Sequence, residues 1–476
     1  MDTQPVTLLN SFPAADASAA EQILNLELSG FHSKIVVLDD DPTGIQTVHG
    51  VYVYTDWKKE TLTQAFQDEK QLFFILTNSR SLSKSETARV HKEIAEILCE
   101  VSKEQNQEFL LLSRGDSTLR GHYPLETDIL KESIEKNLDL HFNGEIFCPF
   151  FPEGGRYTLN NIHYVKEGDH LTPAGDTEFA RDKTFSFHSS DLTEYMEEKS
   201  GGACSKERCI CISLEELRSF SLDIITQKLM QADNFAKIIV NAIDYTDLKI
   251  FAIAWVRAMK AGRHYIARCA AALPKVIGNI TDQPLLSRAE LCSSDHGHGG
   301  LIIIGSHVKK TTEQFQTLLD ADLPLVPLEF HVNAYFEKGG LEGETKKILS
   351  QAEAYILNGK TVLIYTSRQL LAPEGFSKDE LLALSVKISD AMTAIVSGLS
   401  IRPGFILAKG GITSSDVGTK GLHVKKALVL GQVKPGIPVW LTGEESRFPH
   451  MPYIIFPGNV GTATTLTEIV ENIIQP

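Results

Sequence analysis

Short runs of consecutive apolar residues, each stopped by Asp, Ser, Asn or Gly, recur at KIVVLDDD (34–41), VYVYT (51–55), LFFILTN (72–78), FLLLS (109–113) and EIFCPF (145–150). Strands buried on both faces read this way, and such strands belong to parallel sheets covered by helices. Helical periodicity fills most intervals. The clearest case, Glu86 to Val101, sets Val90, Ile94, Ile97 and Leu98 on one face, as a right-handed crossover between two strands requires. The pattern resumes at CICISL (209–214), KIIVNAID (237–244) and HYIAR (264–268), with an amphipathic segment at 248–260. It returns at LIIIGS (301–306), TVLIYTS (361–367), GFILAKGG (404–411), IPVWLTG (437–443) and YIIFPGN (453–459).

Two stretches break the rhythm. Residues 151–200, rich in Gly, Pro, Asn, His and acids, read as a long functional loop or flap. Residues 274–300 are turn-rich and mark a boundary. A chain of 476 residues suits two large lobes. The expected fold class is α/β in two domains, each on a mostly parallel sheet flanked by helices, with the active site in the cleft between them. The expected divisions are a helical arm at 1–32, a first domain at 33–285, a linker at 286–300 and a second domain at 301–476. In the arm, Pro13-Ala14-Ala15-Asp16 can start a helix whose apolar face carries Ala19, Ile23, Leu24 and Leu26.

Charge narrows the partners. Forty-six Lys and Arg against 61 Asp and Glu leave −15, a field that disfavours nucleic acid but spares a small anion gripped by local arginines. The seven cysteines include no C-x-x-C pair, so reduced thiols and a cytoplasmic location are expected. Cys204, Cys209 and Cys211 fit a surface loop entering a strand better than a metal site. MDTQPVTLLNSF has neither a basic nor an apolar signal region, and no run approaches the roughly 18 apolar residues of a membrane span.

In the second half, three loops follow strands. GSHV (305–308) leaves its strand through Gly305, with Ser306 placed to cap a helix beginning near Thr311. LAKGGITSSD (407–416) sets Lys409 before Gly410, Gly411, Ile412 and Thr413, a sequence that can turn main-chain N–H groups inward as an anion nest. FPGNVGTATTL (456–466) opens the terminal helix, with Gly458 and Gly461 allowing close approach and Thr462 or Thr464 in its first turn. AYILNGKT (354–361) lacks the first glycine of a P-loop and precedes its strand. Any one of the three loops alone reads as an ordinary turn; together, at the carboxyl ends of strands, they point to a nucleotide cleft.

In the first half, Asp39, Asp40 and Asp41 end the first strand. Three adjacent carboxylates repel unless solvated, hydrogen-bonded to polyol hydroxyls or neutralised by a cation, and an acidic capping turn is an equal reading. TNSRSLS puts Arg80 at another strand end. SRGDSTLRGH (113–122) groups Arg114, Asp116, Ser117, Thr118 and Arg120: guanidinium groups grip a carboxylate, and an aspartate can accept a hydroxyl proton. FPEGGRY (151–157) and TEFARDKTFSFHSSD (177–191) are candidates to cover this site. His296 and His298 in DHGHGG read as linker residues, since no third metal ligand is specified.

These motifs, in this order, resemble the four-carbon acid sugar kinase family over nearly everything after residue 33. The matching residues are Asp40-Asp41-Pro42-Thr43-Gly44, Ser79-Arg80, Asp116 to Gly121, Gly305-Ser306, Gly410-Gly411-Ile412-Thr413 and Pro457-Gly458-Asn459-Val460-Gly461. Two departures stand out. Ser113-Arg114-Gly115 replaces lysines found in many members, and Gly-Gly-Ile-Thr replaces Gly-Gly-Asp/Glu-Thr. The resemblance implies an ATP-dependent enzyme phosphorylating a hydroxyl of threonate, erythronate or an oxo-tetronate, with the terminal 4-OH the expected acceptor.

On that reading Asp116, Asp40 and Asp41 serve catalysis. Arg80, Arg114, Ser117 and Arg120 bind the sugar acid. Ser306, Lys409, Gly410, Gly411, Ile412, Thr413 and Gly458 bind ATP, and Mg²⁺ arrives with the nucleotide rather than through a dedicated protein site. The partners are small molecules, with neither nucleic acid nor membrane expected and a homo-oligomer left open. A nicotinamide-dependent sugar-acid dehydrogenase would need G-x-G-x-x-G and an acid about 20 residues on, which are not found. A non-catalytic acid-sugar-binding protein is the other rival.

Overall fold

The computed structural model describes residues 2–292, 297–306, 308–368, 371, 376, 378–458 and 460–474, with backbone only at 378, 379 and 382. It divides into two compact units, Met1–Asp282 and Gln283–Pro476.

In the first unit eight strands pair in parallel, in the spatial order Ile210–Ile212, Ala236–Val240, Phe142–Cys148, His264–Cys269, Phe109–Arg114, Lys34–Asp39, Leu72–Leu76 and Tyr52–Tyr54. The chain runs outward from Lys34–Asp39 on one side, then returns to place Phe109–Arg114 on the other. Those two neighbours therefore form a topological switch point, where α/β sheets open a crevice at their carboxyl ends. The strands Lys34–Asp39 and Leu72–Leu76 are buried throughout, as their unbroken apolar runs predict.

The crossover helix is Lys84–Gln105, longer than its apolar stripe. Ser83 and Glu86 form a capping box at its start, and left-handed Asn106 ends it. The arm forms the helix Ala17–Leu28, with Asp16 Oδ1 accepting from Ala19 N at 2.9 Å. Glu27 of this helix pairs with Arg257 at 2.8 Å and Lys260 at 3.0 Å, fixing it to the helix Tyr245–Lys260.

Residues 151–200 are more ordered than a flap. Arg156–Leu159, Ile162–Glu167 and His170–Pro173 form an antiparallel meander, which Gln4–Pro5 extends, and the helix Leu192–Lys199 follows. Its turns use left-handed Asn160 and Asn161, and its alternation is too short and too polar to read as strand from sequence.

In the second unit Leu325–Phe330, Thr361–Thr366, Leu301–Ile304, Ile406–Lys409 and Pro452–Phe456 pair in parallel, in that order, followed by antiparallel Ile437–Thr442 and Lys426–Lys434. Leu286 and Leu291, from the stretch read as linker, are buried in this unit's core with Ile302, Phe405 and Leu466. His296 lies outside the described residues; His298 Nδ1 hydrogen-bonds Arg402 O at 2.8 Å. All seven cysteines are free thiols. Among the described residues, no helix is long and apolar enough to cross a membrane.

Candidate functional site

At the switch point of the first unit, Asp39 and Arg114 are register partners at the ends of adjacent strands. Arg114 Nη1 donates to Asp39 Oδ1 at 3.1 Å and to Asp40 Oδ1 and Asp41 Oδ1 at 3.2 Å each. Arg80 brackets the same cluster from the neighbouring strand end. Its Nε donates to Asp40 Oδ2 at 3.0 Å, its Nη2 lies 2.5 Å from Asp40 Oδ1, and its Nη1 lies 2.5 Å from Asp41 Oδ2. Two guanidinium groups thus take the place of the cation that three adjacent carboxylates require.

Burial raises Asp39 well above the usual carboxylate range against the pull of Arg114, and raises Asp40 against Arg80 and Arg114. Burial also opposes ionisation of Asp41, yet Arg80, Arg114 and the hydrogen bonds from Thr43 bring it down to about 2. The Thr43 hydroxyl and N–H both donate to Asp41 Oδ1, the N–H at 2.8 Å. The Pro-Thr-Gly turn has a tight steric reason: a Cβ on Gly44 would stand 2.1 Å from Asp39 Oδ1.

The arginines predicted to hold substrate are therefore engaged with protein acids. Arg114 is 4% exposed, and its Nη1 is shared among the three aspartates. The aspartate oxygens lie within 4.8 Å of one another, but each carboxylate is already paired, so the triad offers poor ground for a direct Mg²⁺ site.

The loop after Arg114 carries the second constellation. Arg120 Nε donates to Asp116 Oδ2 at 2.6 Å, the Thr118 hydroxyl donates to the same oxygen, and Arg120 Nη1 lies 3.7 Å from Asp182 Oδ2. Burial works against the charge on Asp116, but Arg80, Arg120 and these hydrogen bonds hold it far below the usual carboxylate range. Ser117 is buried, its carbonyl hydrogen-bonded to His163 Nε2 at 2.8 Å, and burial lowers that imidazole to about 4.

Asp116 and Arg120 line a small, partly open pocket with Leu119, Phe147, Pro149, Tyr195, Arg268 and Cys269. Arg268 is not among the residues the motifs single out, although HYIAR ends its strand as FLLLSR does. Its Nη1 donates to Ser113 Oγ at 2.9 Å and Glu126 Oε2 at 2.5 Å, and Glu126 Oε1 accepts from Ser79 Oγ at 2.6 Å. The Arg268 guanidinium explains both glycines of the motif. A Cβ on Gly115 would lie 2.2 Å from Nη2, and one on Gly121, at φ +127°, 2.8 Å from it.

In the second unit the three loops converge at the ends of adjacent strands. A Cβ on Gly305 would lie 2.4 Å from Thr413 Oγ1, and one on Gly410, at φ +120°, 2.9 Å from Ser306 Cβ. A Cβ on Gly458 would be 3.9 Å from Ser306 Oγ. Ser306, Gly410, Thr413 and Gly458 are thus brought together; Asn459 lies outside the described residues. Gly411 and Ile412 face outward, with room around the former and Ile412 66% exposed.

Two details differ from expectation. Ser306 does not cap its helix, Lys309–Asp320: the N-cap is Val308, whose N–H reaches Ser306 Oγ at 3.4 Å in a turn before it. Lys409 turns inward instead of lying open in the nest. It is wholly buried, donates to Pro457 O at 3.1 Å, and sits 3.8 Å from the Phe456 ring centroid. Burial lowers it to about 7, with Lys310 adding to the shift. Arg368, not singled out by any motif, supplies a basic group here: Nη1 donates to Ser306 O at 2.9 Å and Nη2 to Thr312 Oγ1 at 2.5 Å.

Each unit thus gathers polar groups at the carboxyl ends of a parallel sheet, the first around an arginine–aspartate network and the second around glycine turns. Residues 35–277, just over half of the chain, match the family described as sugar-binding N-terminal domain, and residues 301–466 match its counterpart, nucleotide-binding C-terminal domain. The chain belongs to this family of two-domain sugar- and nucleotide-binding proteins.

Among solved structures, a Salmonella typhimurium LT2 protein provisionally described as a tRNA synthase aligns with a TM-score of 0.67 and 15% identity, covering 94% of this chain and 100% of its own. A Haemophilus influenzae protein aligns at 0.61 with 16% identity, covering 92% and 100%. At these identities the likeness is one of fold. Among curated proteins, none matches the chain in sequence.

Proposed function

We propose that this protein is an ATP-dependent kinase that phosphorylates a hydroxyl of a four-carbon sugar acid, such as threonate, erythronate or an oxo-tetronate, at its terminal 4-OH. The observation that carries this reading is the pocket holding Asp116, Arg120 and Arg268 in a unit of the sugar-binding family, joined in one chain to a unit of the nucleotide-binding family. A carboxylate beside two guanidinium groups suits a ligand with hydroxyls at one end and an anion at the other.

Asp116 accepts a hydrogen bond from the substrate hydroxyl and orients it. So strongly ionised a carboxylate is a weak base, but phosphoryl transfer through a loose transition state depends on alignment more than on early proton removal. Asp40 and Asp41 act through Arg80, which they hold beside Asp116. Arg114 neutralises the aspartates. Ser117, through the hydrogen bond between its carbonyl and His163, steadies the loop that carries Asp116.

The turns at Ser306, Gly410 to Thr413 and Gly458 receive the nucleotide phosphates on main-chain N–H groups. Lys409 supports the Pro457–Gly458 turn from behind. Mg²⁺ enters with ATP, neutralising its phosphates.

The direct test is a panel of four-carbon sugar acids with ATP and Mg²⁺, following ADP release and identifying the product by phosphorus NMR. One acid should yield stoichiometric ADP and a phosphate ester at its terminal carbon. No ADP with any acid, or reduction of NAD instead, would overturn the reading.

A further inference from the structure

Five guanidinium groups gather at the carboxyl end of the first unit's sheet, and four are matched by carboxylates. Arg80 pairs with Asp40 and Asp41, Arg114 with all three aspartates, Arg120 with Asp116 and Asp182, and Arg268 with Glu126. The fifth is Arg156, which opens the first strand of the antiparallel meander. Among the described residues its guanidinium makes neither a hydrogen bond nor an ion pair, and its Nε is buried without a partner.

Arg156 is nevertheless firmly placed. Its main chain exchanges two hydrogen bonds with Phe151, at 2.9 and 3.0 Å, and its guanidinium lies 5.6 Å from the Phe179 ring centroid. Arg120 covers the same ring at 5.0 Å. Asp116 is the acid whose field it feels most. Half-burying a cation without a counter-ion is costly, and the cost is recovered when an anionic ligand supplies the missing partner.

We propose that Arg156, together with Arg120, binds the carboxylate of the acid substrate, which sets the acid end against Phe179 and leaves the hydroxyl-bearing end to Asp116. This inference rests on the sugar-acid reading above and adds the residue that orients the ligand. The ligand class is a small hydroxylated monocarboxylate.

The test is calorimetric binding to the full chain without nucleotide, using threonate and erythronate and, as neutral probes, their primary carboxamides. Wild type should bind at least one acid more tightly than its amide. Arg156→Gln should weaken the acid by about 10- to 100-fold, the range of a lost charge-assisted hydrogen bond, while leaving the amide and ATP nearly unchanged. Arg156→Lys should recover part of the loss. Circular dichroism melts establish that both variants are folded.

Equal weakening of acid and amide would show that Arg156 only shapes the fold, and weakened ATP binding would assign it to the nucleotide; either result overturns the inference. If wild type binds neither acid, the inference falls together with the sugar-acid reading. Acid binding dependent on Arg156 but without ADP formation would overturn the kinase reading alone.

Discussion

A single nitrogen of Arg114, Nη1, lies between 3.1 and 3.2 Å from one oxygen each of Asp39, Asp40 and Asp41, and Asp39 is its register partner on the adjacent strand. The charge is almost wholly removed from solvent, so deleting it leaves acids stranded in the interior. Arg114→Met should destabilise the first unit by about 3–5 kcal/mol, the cost of breaking a buried pair. Urea denaturation followed by circular dichroism measures this; a loss below 1 kcal/mol would mean that the aspartates are solvated.

The same network predicts an acid limb. Asp41 titrates near 2 when folded against 3.8 ordinarily, so its contribution to stability is complete above about pH 4 and lost as pH falls towards 2. Asp39 and Asp40 are shifted upward and act with the opposite sign, taking up protons more readily folded than unfolded. Asp41→Asn should therefore flatten the decline in stability between pH 4 and 2. Melts of both proteins at half-unit pH steps would show parallel slopes if Asp41 were not the group responsible.

Lys409 gives a signature at the other end of the scale. With a folded value near 7 and an unfolded value of 10.5, the unfolded chain holds its proton more tightly between those limits, so stability rises with pH across that window. Lys409→Met should remove that rise, leaving a smaller pH slope than wild type from pH 7 to 9.5. Identical slopes in denaturant titrations would mean the ammonium stays charged in the folded state.

Steric contrast between two glycines makes a fourth comparison. Gly115→Ala drives a Cβ to 2.2 Å from Arg268 Nη2, whereas Gly411→Ala meets nothing within 4 Å. The first should cost about 1–3 kcal/mol, as overpacking does, and the second should change stability by less than about 0.5 kcal/mol. Thermal melts of the pair decide it, and equal effects would show that the Arg268 guanidinium moves aside freely.

For the proposed reaction, Asp116→Asn should lower kcat by about 100-fold or more while leaving the KM for ATP within about twofold, because it replaces a charged orienting acceptor on the sugar side only with a neutral amide. Steady-state assays of ADP release measure both constants. Full turnover in this variant would take Asp116 out of the chemistry.

The parallel strands were legible because each is an unbroken apolar run with a polar stop, and Asp39, Arg80, Arg114 and Asp116 could be placed at strand ends for the same reason. Besides the meander of the first unit, two strands of the second unit give no such signal. Leu325–Phe330 contains Pro327 and lies at the outer end of its sheet's order, where a missing donor is tolerated, and Lys426–Lys434 alternates in burial and bends at left-handed Gly431.

Within the site, residue types and strand ends could be read, but pairing could not. Nothing in SRGDSTLRG says that Arg114 turns back to the aspartates while Arg120 turns to Asp116. Glu126, at the start of the helix Leu125–Asn137, and Arg268, on the strand His264–Cys269, stand 142 residues apart and meet only in the folded chain. The direction of Lys409 is illegible for a related reason: alternation along a strand decides whether its last residue faces the loop or the interior, and Lys409 falls on the interior side.

Glu126 receives Ser79 through one oxygen and Arg268 through the other, locking two strand ends into a fixed frame that is complete before any ligand arrives. Such a foundation lets the outer wall, formed by the short turns around Phe179 and the meander, accumulate substitutions at positions other than Arg156 without disturbing the charges beneath. Diversification of the molecules accepted by relatives of this protein should accordingly be concentrated in that wall, with the inner frame inherited almost unaltered.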